Sequence, residues 1–73
     1  MAFDRILVLG AGHIGRAIAH ALAGHDREVV LADRVLPAGT PDRVRVLALD
    51  IHEAPALAAA LSTVDVVVNA LPF

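Results

Sequence analysis

The sequence from Ile6 to Gly15, ILVLGAGHIG, joins a short apolar run to three glycines with the spacing Gly-x-Gly-x-x-Gly. The apolar run predicts a buried strand, and apolar residues recur at helical spacing after the glycines. A turn of this kind leaves the N–H groups of the helix N-terminus free for phosphate oxygens. The stretch therefore predicts a strand-turn-helix unit that binds a dinucleotide; the alternative is an ordinary structural turn.

The three glycines have separate expected roles. Gly10 allows a tight turn, Gly12 lets the backbone approach a pyrophosphate, and Gly15 lets the helix pack closely against the strand. The next apolar run ends at Asp33, which is expected to accept hydrogen bonds from the ribose hydroxyls of adenosine. An acid at this position repels a 2′-phosphate unless Arg34 binds it, and the other interpretation of Arg34 is a solvated surface residue. We therefore expect NAD as the cofactor, with NADP as the alternative.

The length and composition restrict the class of protein. A chain of 73 residues forms one domain with a small core. Hydrophobic residues make up 58% of the chain, and its only aromatic residues are two phenylalanines, a composition typical of parallel strands covered on both faces. The net charge of −2 predicts no attraction to nucleic acid or to an acidic membrane surface.

Metal, redox and targeting signals are also missing from the sequence. The chain has no cysteine, and its four histidines do not follow a metal-ligand spacing. We predict no metal site, and no side chain is a convincing general acid or base. The sequence has no membrane-spanning or targeting segment, which predicts a cytoplasmic protein.

Four strands and two helices are predicted. The strands are Arg5–Leu9, Glu28–Asp33, Val44–Leu49 and Val64–Asn69, and the second helix runs from about Ala54 to Leu61. The first helix is predicted to end with Gly24 as its C-cap. Residues 34–42 are predicted to form a loop with at most one helical turn. The predicted buried face of the first helix consists of Ile14, Ala17, Ile18, Ala21 and Leu22.

This alternation predicts an α/β fold, the first half of a Rossmann-type domain, with a parallel sheet of strand order 3-2-1-4 and one helix on each face. The ligand crevice is expected at the carboxyl ends of strands one and four. Strand four is then an uncovered apolar edge. We therefore interpret residues 1–73 as a partial domain of a longer enzyme, and we expect the isolated chain to be marginally stable or to self-associate.

Four segments carry a family resemblance. They are VLGAGHIGRAIA (8–19), LADR (31–34), LDI (49–51) and DVVVNALPF (65–73), of which the terminal NALPF is the most specific. Together they resemble the N-terminal NAD(P)-binding domain of the saccharopine dehydrogenase and lysine 6-dehydrogenase family. The resemblance implies an oxidoreductase that transfers hydride at an amino-acid C–N bond. It also implies that the substrate residues lie in a further domain, so substrate and catalytic residues are not transferred to this chain.

The resemblance also implies a set of cofactor-binding residues. Asp50 is expected near the adenine with Ile51 beside it, and residues 69–71 are expected near the ribose on the nicotinamide side. The alternatives are that Asp50 is a turn residue and Asn69 a polar strand terminus. The complete predicted set is Gly10, Gly12, His13, Ile14, Gly15, Asp33, Arg34, Asp50, Ile51, Asn69, Ala70 and Leu71.

A function of another class is a regulatory NAD(H)-binding module of the type that gates potassium transport. Such modules have a similar glycine motif and acids after the second and third strands. They usually read Gly-Asp-Ala at the end of the third strand, where this chain has Leu49-Asp50-Ile51. Short-chain reductases are disfavoured because this chain has no tyrosine for their proton transfer. Whether the chain is part of an enzyme or of a module stays open at this point.

Overall fold

The computed structural model describes residues 5–24, 27–36, 38–40 and 43–71. Four strands and two helices alternate along this part of the chain, as the sequence predicts. The strands are β1 (Arg5–Leu9), β2 (Glu28–Asp33), β3 (Val44–Ala48) and β4 (Val66–Asn69). The helices are α1 (His13–Leu22), between β1 and β2, and α2 (Ala54–Leu61), between β3 and β4.

The four strands form one parallel sheet of order β3-β2-β1-β4, which confirms the predicted Rossmann-type half. In the register of the sheet, Leu9 at the end of β1 pairs with Ala32 of β2 on one side and Asn69 of β4 on the other. Asp33 pairs in turn with Ala48 at the end of β3. The carboxyl ends of all four strands therefore lie along one edge of the sheet.

Side chains of β1 alternate between two apolar clusters, one under each helix. Ile6 and Val8 lie in the cluster that includes Ala19 of α1. Leu7 and Leu9 lie in the cluster against which Leu57 of α2 packs. One helix therefore covers each face, as predicted, and the strand between them is hydrophobic at every buried position.

The predicted buried face of α1 is correct at Ile18 and Leu22, which are partly buried against the core, and wrong at its other three positions. Ile14 is 70% exposed, whereas the buried residues of the helix are Gly15 and Ala19. A Cβ on Gly15 would overlap the carbonyl oxygen of Gly10, so this residue has to face the turn without a side chain. That contact sets the rotation of the helix. The other exposed members of the predicted face are Ala17 and Ala21.

The end of α1 also differs from the prediction. The helix ends at Leu22, and its C-cap is Ala23, not Gly24. Ala23 has an extended backbone (φ −65°, ψ 117°), and its N–H still donates to the carbonyl oxygen of Ala19. Gly24 does not adopt the left-handed conformation of a glycine cap and instead forms a β-bridge with Arg27. The cap is extended because the side chain of Ala23 is buried in the core beneath α1.

Two strands are shorter than predicted. β3 ends at Ala48, although the N–H of Leu49 still donates to the carbonyl oxygen of Asp33 (2.9 Å). β4 begins at Val66 instead of Val64 because Asp65 first binds the start of β1. Its Oδ2 accepts the Arg5 N–H (3.0 Å), and its own N–H donates to the Arg5 carbonyl oxygen (2.8 Å).

The segment between β2 and β3 contains bends and no helix in its described residues, 34–36, 38–40 and 43, in agreement with the predicted loop. Pro72 and Phe73, which complete the NALPF segment, lie outside the described residues. Neither α1 nor α2 has the length and apolar character that a helix needs to cross a membrane.

The contact between Gly15 and Gly10 generates a prediction for stability. We expect Gly15→Ala to destabilise the protein by at least the roughly 1–3 kcal/mol typical of an overpacked interior, because backbone on both sides of the contact has to shift. Gly12→Ala is the matched control, since no described atom lies within 4 Å of a Cβ at Gly12, and it should cost no more than about 1 kcal/mol. Urea unfolding followed by circular dichroism measures both. Equal destabilisation by the two variants would contradict the prediction.

Candidate functional site

The glycine turn lies between the carboxyl ends of β1, β2 and β4, where the strand order reverses. The N–H of Gly10 donates to the carbonyl oxygen of Ala32 (2.8 Å), at the end of β2. The N–H of Ala70 donates to the carbonyl oxygen of Leu9 (2.8 Å), which ties the end of β4 to the same turn. This is the position at which open α/β sheets bind ligands, and it agrees with the predicted crevice.

Gly10 is required in the turn for two independent reasons. Its φ of +103° is in the region that residues with a side chain rarely adopt. In addition, a Cβ at Gly10 would lie 2.9 Å from the carbonyl carbon and oxygen of Ala70 and 3.0 Å from the nitrogen of Leu71. The turn therefore packs directly on the backbone that follows β4. This contact brings together the segment expected at the pyrophosphate and the segment expected at the nicotinamide-side ribose.

Gly12 stands in contrast to the other two glycines of the motif. It is the N-cap of α1 with an extended backbone (φ −73°, ψ −169°) that any residue adopts. No atom of the described residues lies within 4 Å of a Cβ built at this position. The fold itself therefore does not require glycine here. The missing side chain instead leaves open space in front of the helix.

Among the described residues, no side chain caps the N-terminus of α1. The first turn of the helix also contains no acidic residue. The residues that follow the cap, His13 and Ile14, are exposed. The free N–H groups and the positive end of the helix dipole therefore face open space at Gly12, which suits an anion such as a phosphate.

Asp33 contacts the glycine turn directly. Its Oδ2 accepts a hydrogen bond from the N–H of Ala11 (2.8 Å), and its Oδ1 accepts one from the N–H of Arg34 (2.6 Å). The first of these bonds is partly buried and connects β2 to the middle of the turn. Arg34 is exposed beside it. The structure therefore places both residues of the predicted pair next to the turn.

The two other polar residues at strand ends form local turns. Asp50 Oδ1 accepts the N–H of His52 (2.9 Å), and Asn69 Oδ1 accepts the N–H of Leu71 (3.0 Å). These contacts are those expected of turn and strand-end residues, the alternatives considered from the sequence. Ile51 is half-buried against the α2 cluster. The remaining oxygen of Asp50 and the amide nitrogen of Asn69 stay free of hydrogen bonds among the described residues.

Sequence reasoning missed two contacts at this edge. The first is the hydrogen bond from Ala11 to Asp33, and the second is the packing of Gly10 against Ala70 and Leu71. Both join segments that are distant in sequence, so no local pattern signals them. The strand order of the predicted sheet did place these segments side by side.

A groove of about 710 Å³ extends along α1 from His13, the first residue of the helix. Arg16 and His20 of the helix form one wall, and Thr40 of the β2–β3 loop lies on the other. Leu31 and Val44 of the sheet form its floor. Among the described residues of the β2–β3 segment, no helix covers this side of α1. The groove begins next to the glycine turn, because His13 follows Gly12 directly.

Comparison with known proteins identifies a family for nearly the whole chain. A family model described as the saccharopine dehydrogenase NADP binding domain matches residues 6–73. The matched range contains the glycine turn, Asp33, and the segment after β4 that packs on Gly10. No curated protein matches the chain. The description of the family favours NADP over the NAD that we expected from Asp33.

Proposed function

The chain belongs to the saccharopine dehydrogenase NADP-binding domain family, and we propose that its glycine turn binds the pyrophosphate of NADP or NADPH. The observation that carries this proposal is the open space at Gly12 in front of the uncapped N-terminus of α1. Residue 12 is a glycine, although packing among the described residues does not require one there. A pyrophosphate that occupies the space receives hydrogen bonds from free N–H groups of the helix.

We propose that the adenosine half of the cofactor lies across the end of β2. There Arg34 is exposed and follows Asp33 directly, and a guanidinium is suited to bind a 2′-phosphate in a bidentate manner. Asp50 and Ile51 follow β3 beyond Asp33 and are proposed to lie near the adenine. The segment 69–71 is proposed to approach the ribose on the nicotinamide side, because it packs on the opposite side of the glycine turn.

We further propose that this domain serves an oxidoreductase that acts at an amino-acid C–N bond, as the family resemblance implies. Bound dinucleotide supplies the hydride acceptor or donor, and the protein supplies position and electrostatics. In the oxidative direction, carbon loses a hydride to the cofactor while the attached nitrogen loses a proton. No side chain of this chain is assigned to that proton transfer. The exposed Val67 of the edge strand β4 supports a role as one part of a longer enzyme that covers this edge.

The open space at Gly12 generates a prediction for binding. We expect Gly12→Val to abolish the binding of NADPH and NADH while the protein stays folded, because the new side chain enters the space of the pyrophosphate and its Cβ has no described atom within 4 Å. Isothermal titration calorimetry measures the affinity, and circular dichroism monitors the fold. Ala58→Val introduces the same side chain at an exposed position of α2 and should bind like the wild type. Equal affinities for Gly12→Val and the wild type would remove the proposal.

The position of Arg34 generates a prediction for cofactor choice. We expect the wild type to prefer NADPH, and Arg34→Ala to weaken NADPH binding by roughly ten- to a hundredfold, the effect of losing a hydrogen bond to a charged group. The affinity for NADH, which has no 2′-phosphate, should stay nearly unchanged. Arg45→Ala is the control because Arg45 pairs with Glu28 (2.9 Å) near the amino end of the sheet. An equal loss for both cofactors would show that Arg34 does not read the phosphate.

A further inference from the structure

Asp33 differs from the other polar residues that end strands at the carboxyl edge. Asp50 and Asn69 each accept an N–H from a residue two positions further along the chain. Asp33 accepts the N–H of its neighbour Arg34, and in addition it accepts the N–H of Ala11, which lies 22 positions earlier. Its second carboxylate oxygen is therefore used for a tertiary contact instead of a local turn.

The contact lies at the centre of the glycine motif. Ala11 separates Gly10, whose N–H is bound by the main chain of β2, from Gly12, which opens α1. The Asp33 carboxylate adds a second bond from β2 to the next residue of the turn (2.8 Å). Two successive N–H groups of the turn are thus held by the end of one strand. A flexible Gly-Ala-Gly turn has many alternative conformations, and such anchors restrict them.

We propose that Asp33 is a positioning residue that holds the glycine turn in the conformation that accepts the pyrophosphate. This inference rests on the proposed function. Asp33 then supports pyrophosphate binding equally for both cofactors. Arg34 alone distinguishes a 2′-phosphate from a 2′-hydroxyl. An acid at the end of β2 is then compatible with a family described by NADP, because the carboxylate acts on the turn.

The first test needs no cofactor. We expect the amide of Ala11 to exchange with solvent deuterium at least roughly tenfold faster in Asp33→Ala than in the wild type, as loss of a hydrogen bond to a charged acceptor implies. Asp33→Asn keeps one carbonyl oxygen that can accept the Ala11 N–H, and the exposed Arg34 N–H then bonds to water. The exchange rate of the Ala11 amide in this variant should therefore stay close to the wild-type rate. Asp50→Ala is the matched control, since that carboxylate binds only His52 among the described residues. Unchanged exchange in Asp33→Ala would overturn the proposal.

The second test uses NADPH and NADH as probes and measures both affinities by calorimetry. If Asp33 has a positioning role, Asp33→Ala should weaken the affinities for NADPH and NADH by the same factor, and Asp33→Asn should restore both affinities. A carboxylate that instead reads the ribose hydroxyls predicts a selective loss of NADH and a gain of NADPH, and that result would overturn the proposal. If Asp33→Ala fails to fold, the NADPH to NADH affinity ratio of Asp33→Asn decides, and a ratio unlike that of the wild type contradicts the positioning role.

If the proposed function is wrong, the binding measurements give a different result. In that case the wild type binds neither dinucleotide, and the exchange rate of the Ala11 amide alone decides whether Asp33 holds the turn.

Discussion

The carbonyl oxygen of Gly10 occupies the space that a side chain on Gly15 would need, and the geometry of the whole carboxyl edge depends on this contact. Because the helix can approach the turn only through a residue without a Cβ, the contact sets both the rotation and the starting point of α1. The left-handed Gly10 then directs the chain from β1 into the helix, and its other side packs on the backbone after β4. Contacts within the chain therefore fix strand, turn, helix and the segment beyond β4 relative to one another.

The three glycines of the motif are present for different physical reasons. Gly10 and Gly15 are needed by the protein, since side chains there would collide with backbone. Packing among the described residues does not require glycine at position 12, since a Cβ there would have no described atom within 4 Å. A position that stays small without a packing reason indicates a partner outside the chain. The difference between Gly12 and the other two glycines therefore supports a ligand at the N-terminus of α1.

The sequence was sufficient for the architecture because each strand is a continuous apolar run and each crossover has its own turn residues. It was insufficient for the orientation of α1, since Ile14, Ala17 and Ala21 are apolar and satisfy helical spacing without being buried. The short contact between Gly15 and Gly10 decides that orientation, and hydrophobic periodicity contains no information about it. The position of the glycine turn between β1 and α1 was predictable from local spacing. The bond between Asp33 and Ala11 was not, because it depends on the register between β1 and β2.

The central claim is that one ligand, a nicotinamide dinucleotide, lies across the carboxyl edge of the sheet with its pyrophosphate at Gly12. Titration of the ¹⁵N-labelled protein with NADPH, followed by amide chemical shifts, tests it most directly. We expect the largest amide shift changes in residues 10–15, with further changes at 33–34 and 69–71. The amide shifts at the carboxyl end of α2 should stay unchanged. Saturating NADPH that leaves residues 10–15 unshifted, or that shifts only the groove residues around His20 and Thr40, would contradict it.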